Sequence, residues 1–313
     1  MRFLITGELK RKKHLYWGVL AFLGFAVVFW LNNFLYYYLN FGFSYESLFK
    51  YYFTDLEFPE KISLKQVSEN VHINLFINGF LTLVILSILN VFDFKPSLKL
   101  WLSLSSFVFG FFYSVSDLLI YFLDGYIFIK PVSFVFFQFF LGVSLFLVLY
   151  GLIKKKTDVS IKILKISIGF FSFVMIVFFL LNFFLFYQKI GFCFECVKSY
   201  YLGNPEKYVK PKTLEGLFKV FYPHLITMSF LSFTLLHFLL FSSVNKVFSV
   251  ILGVGGFVFT FLDNLSGIFI RFVNDFFIYL KLFSFFSLEV IFLVGFTLVL
   301  LSVLKNNPHE GGC

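Results

Sequence analysis

The chain has 313 residues, 59% hydrophobic and only 14% charged, with 26 Lys and Arg against 17 Asp and Glu for a formal net charge of +9. So apolar a composition excludes a soluble globular domain. The basic surplus does not mark a nucleic-acid binder either, because it collects at Lys10-Arg11-Lys12-Lys13, Lys95 and Lys99, Lys154-Lys155-Lys156 with Lys162 and Lys165, Lys246 and Lys305. These points lie at alternate ends of long apolar stretches, as the positive-inside rule expects of cytoplasmic segments. A polybasic patch for anionic headgroups of the lipid bilayer is the modest further reading.

About 20 apolar residues cross the roughly 30 Å hydrocarbon layer. In chain order the stretches that meet this length are 15–39, 72–92, 98–123, 131–153, 161–187, 223–243, 247–271 and 277–304. The first is too long for a signal-peptide core and no small-x-small cleavage site follows it, so it reads as a retained span. Both termini and the short connections at 93–97, 154–160 and 242–246 are expected on the cytoplasmic side. The long loops 40–71 and 188–222 are expected outside, and the chain is expected to be a multi-pass protein of the cytoplasmic (inner) membrane. Segments 62–67 and 213–218 read as short amphipathic segments that lie on the membrane surface and lead into the second and sixth spans, with Ser63 and Thr213 as N-caps.

The sequence is written twice. Gly42-Phe43-Ser44-Tyr45-Glu46-Ser47, followed by Tyr51-Tyr52, recurs as Gly191-Phe192-Cys193-Phe194-Glu195-Cys196, followed by Tyr200-Tyr201. Asn33 falls on Asn182, Tyr38 on Tyr187, and His72 on His224 with a shift of three residues. Farther along, Phe107-Val108-Phe109 falls on Phe257-Val258-Phe259, Ser116 on Ser266, and Lys130, Ser133 and Lys154 on Lys281, Ser284 and Lys305. A fixed-period repeat sets the whole fold reading. The expected fold class is an all-α integral membrane protein of eight transmembrane helices in two parallel four-helix repeats, residues 1–153 and 154–305, with a short tail at 306–313. Four spans per copy give both copies one orientation, hence a pseudo-two-fold axis along the membrane normal. A polar residue kept in both copies is a better functional candidate than one present in a single copy.

Ionisable groups inside hydrocarbon cost about 2.5–3.5 kcal/mol each on insertion scales and are functional candidates by default. Here they are His72, Asp117, His224, His237, Asp263 and Glu289, with Asn33 and Asn182 in the outer parts of their helices and Arg271 near an external end. The gapless repeat puts Asp117 on Gly267 and Asp263 on Tyr113. The two acids thus differ by one helical turn and share a stripe of their helices. An interhelical hydrogen bond, such as Asp263 to Arg271, is the plain alternative for each acid. Glu289 stands where the other copy has Gln138. The inner half of the membrane looks nearly free of polar groups apart from His237.

His72 and His224 open equivalent spans, and a helix N-terminus disfavours the imidazolium, which keeps an imidazole able to ligate. Two such histidines suit the axial positions of a haem b, with Asn33, Asn182, Asp117, Asp263 and Glu289 as hydrogen-bonding neighbours or a proton route. Against that stands a pair of interfacial histidines bonded to loop backbone, or a contact to another metal or a quinone. His237 is thirteen residues after His224, about 140° away around the helix, and the first copy has Ile85 at that depth, so a second haem is not expected. Cys193-x-x-Cys196 favours a disulfide in the second external loop; the first copy has Ser44 and Ser47 there. Cys313 ends a polar tail that does not fit a prenylation box. No phosphate-binding glycine loop or hydrolase motif occurs. The leading expectation is a haem-b electron-transfer or redox-linked membrane protein, with an external redox protein or quinone as partner. Two rivals stand beside it: a cation or metal transporter using the same histidines and acids, and a non-catalytic subunit that docks an external partner.

Overall fold

The computed structural model describes residues 13–53, 60–123, 126–154 and 158–305. The basic cluster at 10–12, residues 155–157 and the tail with Cys313 lie outside them. The described residues form ten α-helices: α1 (Lys13–Phe41), α2 (Tyr45–Phe53), α3 (Leu64–Leu89), α4 (Pro96–Phe122), α5 (Ile129–Lys154), α6 (Ile161–Lys189), α7 (Phe194–Leu202), α8 (Leu214–Leu240), α9 (Lys246–Phe272) and α10 (Phe277–Lys305). No strand occurs among them, only an isolated bridge between Asn204 and Val209. All but the nine-residue α2 and α7 are long and apolar enough to cross a membrane, eight in all. The protein is a polytopic, all-helical membrane protein.

Two expected boundaries are corrected. Segments 62–67 and 213–218 are not separate surface segments but the entries to α3 and α8, which begin eight or nine residues before the expected 72 and 223. The caps do this. Ser63 Oγ accepts the Gln66 N–H at 3.3 Å and Thr213 Oγ1 accepts the Gly216 N–H at 3.1 Å, so each helix is nucleated at the expected cap and runs unbroken into the apolar stretch. The short helices are instead α2 and α7, directly after the repeated glycine motif.

That motif is a helix-start device. Gly42 and Gly191 have φ of 63° and 84°, a region that costs a side-chain-bearing residue energy. A Cβ on Gly191 would stand 2.9 Å from Cys196 Cβ. Two residues on, Ser44 and Cys193 offer a side-chain acceptor to the backbone N–H of Ser47 at 3.1 Å and of Cys196 at 2.9 Å. The chain thus turns off α1 or α6 and restarts as α2 or α7 by the same local chemistry.

The chain divides into two compact units, Met1–Val174 and Met175–Cys313, with the boundary inside α6. In the first unit α4 packs on α3 and α5, and α1 lies against α5. Tyr37 of α1 stacks on Phe134 at 4.0 Å, and the Trp30 indole N–H donates to the Gln138 carbonyl at 3.0 Å. In the second unit α9 packs on α8 and α10, and α7 on both α9 and α10. Phe186 stacks on Phe285 at 3.8 Å and Phe179 on Phe292 at 4.5 Å. Phe186 and Phe285 hold the repeat positions of Tyr37 and Phe134. Such stacks contribute about 0.5–1.5 kcal/mol beyond burial, useful where lipid tails remove the hydrophobic drive between helices.

Candidate functional site

At the same end of both bundles a lysine from the start of one span meets a carboxylate from the end of the preceding one. Lys130 of α5 pairs with Asp117 of α4 at 2.8 Å, their side chains 0% and 1% exposed. Lys281 of α10 pairs with Asp263 of α9 at 2.8 Å, with 9% and 14% exposure. The lysines also reach the same backbone position: Lys130 Nζ donates to the Tyr113 carbonyl at 3.4 Å and Lys281 Nζ to the Asp263 carbonyl at 3.0 Å. Ser116 and Ser266 donate to those same two carbonyls, each at 2.7 Å. Ser133 and Ser284 each bond back into the first turn of the lysine's helix at 2.6 Å. The scaffold of lysine, carbonyl and two serines is therefore identical in both copies. Only the carboxylate has moved, by one turn of its helix.

The short helices complete the cluster. In the first unit the Tyr52 hydroxyl donates to Asp117 Oδ1, while Asp117 Oδ2, also buried, has no hydrogen-bond partner. Burial, then the Asp117 charge, pushes the Tyr52 hydroxyl well above its usual range, and the same causes push Tyr51 up to about 12. Lys130 Nζ lies 4.3 Å from the centre of the Tyr113 ring and 4.9 Å from that of Phe41, in cation–π range. In the second unit Tyr201, the repeat equivalent of Tyr52, lies within reach of the Lys281 and Asp263 charges, and burial raises its hydroxyl pKa. Gly267 holds the position of Asp117, and a Cβ there would come within 2.9 Å of Tyr201 Cε1. The tyrosine ring fills the space the carboxylate occupies in the first copy. Asp263 thus pairs with Lys281 and not with Arg271, whose Nε donates to the Lys212 carbonyl at 2.9 Å.

Below the cluster the two bundles differ. Lys99, Ser103, Ser106, Gly110, Ser114 and Asp117 follow one face of α4: at about 100° per residue they fall within an 80° stripe. All five side chains on it are buried. Asn78 of α3 donates to Ser114 Oγ at 3.1 Å, and Ser114 Oγ donates to the Gly110 carbonyl at 2.8 Å. Thr82 Oγ1 and Ser106 Oγ are buried without hydrogen-bond partners. Both border a cavity of ≈ 10 Å³, together with Asn78, Ser114 and apolar groups. That space suits one water, and two to four polar partners is what a buried water takes. At the far end Lys99 Nζ donates to the carbonyls of Asn90 at 3.2 Å and Asp158 at 3.0 Å. The expectation of an inner half without polar groups is corrected for this bundle.

In the second unit the matching positions are Ser249, Gly253, Gly256, Thr260, Asn264 and Gly267. A Cβ on Gly253 would stand 2.6 Å from Leu236 Cβ, and one on Gly256 2.8 Å from Ser232 Oγ. There the glycines bring α8 and α9 into close contact, as small residues do between membrane helices.

The remaining sequence candidates are placed as follows. Asn182 Nδ2 donates to Glu289 Oε1 at 2.5 Å, and the buried Glu289 Oε2 has no hydrogen-bond partner. Gln138, at the Glu289 position of the first copy, is buried with both side-chain polar atoms unpartnered. Asn33 is half-buried on α1. His72 is half-buried in the first unit, whereas His224 is exposed on α8, within reach of the charges of Lys281 and Asp263. His237 is half-buried beside phenyl rings, the nearest being Phe241 at 4.8 Å. Cys193 and Cys196 form a disulfide. Among the described residues no three His, Cys, Asp or Glu side chains come together as a metal site.

Sequence reasoning missed the lysines and tyrosines. Lys130 and Lys281, like Tyr52 and Tyr201, are kept in both copies, so the repeat filter selects all four. Taken singly, however, a lysine at a helix start reads only as an interfacial residue.

The chain matches a transmembrane helical domain, Aq_1264_TM, twice, over residues 42–159 and again over 191–310, and it belongs to that family. Each match takes in a short helix and the three spans after it, and so contains a full lysine, carboxylate and tyrosine cluster. No curated protein and no solved structure matches the chain.

Proposed function

We propose that this duplicated membrane protein translocates protons, and that its first bundle supplies the route. The observation that carries the reading is the buried polar stripe of α4. From Lys99 to Asp117 it runs about 27 Å at 1.5 Å per residue, close to the roughly 30 Å of hydrocarbon. Ionisable groups that face a bundle interior mark ion and proton pathways. Asp117 is the exchanging group: Lys130 and Tyr52 hold Oδ1, and Oδ2 is free to take and release a proton. Asn78, Ser114, Thr82 and Ser106, with a water in the cavity between them, carry the proton along the stripe toward Lys99. The second bundle, closed by its glycines, keeps its pair as a structural tie. With the short helices outside and the termini cytoplasmic, the route would cross the cytoplasmic membrane from α2 to the α3–α4 turn.

The test is proton flux into liposomes carrying the purified protein and an internal pH-sensitive dye, driven by a potassium diffusion potential. Flux above that of empty liposomes, reduced at least tenfold in Asp117→Asn and in the pair Thr82→Val with Ser106→Ala but not in Gly256→Ala, is the expected result. Flux no greater than in empty liposomes at either polarity would sink the reading.

A second reading, redox-linked, makes His72 and His224 haem b ligands and an external redox protein or quinone the partner. What supports it is the repeat, which keeps a histidine in the first half of the matching span in both copies. Asn182 would be less available to it, being bonded to Glu289. An oxidised-minus-reduced spectrum of protein made with haem supplied decides it: a stoichiometric b-type signal lost in His72→Ala and His224→Ala supports it, and colourless protein removes it.

A further inference from the structure

We infer that the Cys193–Cys196 disulfide is a redox-active centre that exchanges with a dithiol substrate, an activity independent of the proton route. The first copy supplies the control. Ser44 and Ser47 build the same turn there, with the same left-handed glycine and the same N–H contact to the capping side chain. The turn thus folds without a cross-link. A bridge over two intervening residues also closes a very short loop, the case in which loop-closure stabilisation is smallest. Holding the fold is therefore a weak reason for the two sulfurs.

Their surroundings suit exchange chemistry. Cys193 is exposed and Cys196 half-buried, so an incoming group meets Cys193 first. Cys193 is the N-cap of α7, and its Sγ accepts the Cys196 N–H at 2.9 Å. A helix N-terminus and a backbone N–H both stabilise a thiolate, the state in which a cysteine attacks or leaves. The element that carries the pair is fixed: Val197 and Tyr201 pack into a core with Ile270 and Ile278, and Lys198 pairs with Asp275 at 2.8 Å.

In the reaction a substrate thiolate attacks Cys193 Sγ. The S–S bond breaks, and its electron pair leaves on Cys196 Sγ, which takes up a proton. The second substrate thiol, as thiolate, then attacks the substrate sulfur of the mixed disulfide. Cys193 leaves as a thiolate held by the Cys196 N–H and is then protonated. The substrate dithiol is oxidised to a disulfide by two electrons, and the cysteine pair is reduced by the same two. Run backward, the reduced pair opens a substrate disulfide.

The experiment uses the full-length chain with Cys313→Ser, oxidised, in detergent, and a reduced fluorogenic peptide carrying two cysteines. One equivalent of peptide disulfide per chain, formed at least tenfold faster than by oxidised glutathione at equal concentration, is expected. A rate no higher than glutathione's overturns the inference. A second measurement offers the cyclic disulfide of the peptide to single-cysteine variants of unchanged elution and helicity. Cys196→Ser is expected to capture the peptide through Cys193 at least tenfold faster than Cys193→Ser captures it through Cys196; equal capture overturns the assignment of Cys193 as the attacking sulfur.

Discussion

The two bundles solve one electrostatic problem with the carboxylate one turn apart. In the first, Asp117 and Lys130 are sealed at 1% and 0% exposure; in the second, Asp263 and Lys281 keep 14% and 9%. The lysine, the carbonyl it meets and the flanking serines stay fixed, so what the fold requires is an anion within reach of that ammonium and not an acid at one position. A buried charge left alone is far more costly than the pair, which explains why the carboxylate moved but was not lost. The first bundle then lines the helix below with serines and a small cavity, where the second uses glycines and close helix contact.

Breaking the pairs should give the largest effects. Asp117→Asn leaves the Lys130 ammonium buried without its counter-charge, and removing one partner of a buried pair costs about 3–5 kcal/mol. Asp263→Asn, at a wetter pair, should cost clearly less. Thermal unfolding of the purified variants in one detergent measures both, and equal losses would mean that exposure does not distinguish the sites.

Transplanting the carboxylate sharpens the comparison. Asp117→Gly alone should destabilise the first bundle much as Asp117→Asn does. Adding Tyr113→Asp rebuilds the second bundle's arrangement and should recover most of the loss. A double variant no more stable than Asp117→Gly would show that Tyr113 has become indispensable, through its contacts with Lys130 and Phe134.

Exchanging the stripes is the next step down. Gly253→Ser sets a side chain against Leu236, and overpacking typically costs about 1–3 kcal/mol. The converse change, Ser103→Gly, should cost only about 0.5–1 kcal/mol of helix preference. The order of the two melting temperatures is the readout.

The smallest effect is a titration. Tyr51 has its pKa raised from 10.0 to about 12, by burial first and the Asp117 charge second, with an opposing hydrogen bond from Asn70. A raised folded pKa means that the folded state holds the proton more tightly. Its contribution is complete below pH 10 and is lost as pH rises toward 12. Tyr51→Phe should flatten the stability–pH slope in that window, and an unchanged slope would assign the loss to other groups.

Much of this was legible in the residues. Apolar length gave eight spans, and the repeat gave the division into copies and the shared stripe of Asp117 and Asp263. Ser63 and Thr213 were readable as caps. What the caps would do was not, because whether a capped segment stops at the membrane surface or continues as a span depends on the helices it packs against. Lys130 and Lys281 were visible as repeat partners, yet their pairing with the acids was hidden: thirteen residues separate Asp117 from Lys130 and eighteen separate Asp263 from Lys281, so no single spacing links them. The serines of α4 lack charge and do not stand out in an apolar helix until they are found buried on one face.

By itself the sequence determined class, span number, duplication and the caps at Ser63 and Thr213, because hydrocarbon thickness and cap chemistry act on neighbours in the chain. Only the tertiary structure decided which carboxylate meets which lysine, that a tyrosine from each short helix joins them, and that one bundle is lined with hydroxyls where the other is closed by glycine. Those outcomes depend on distances between helices, which side-chain volume and charge set jointly and no single stretch of sequence carries.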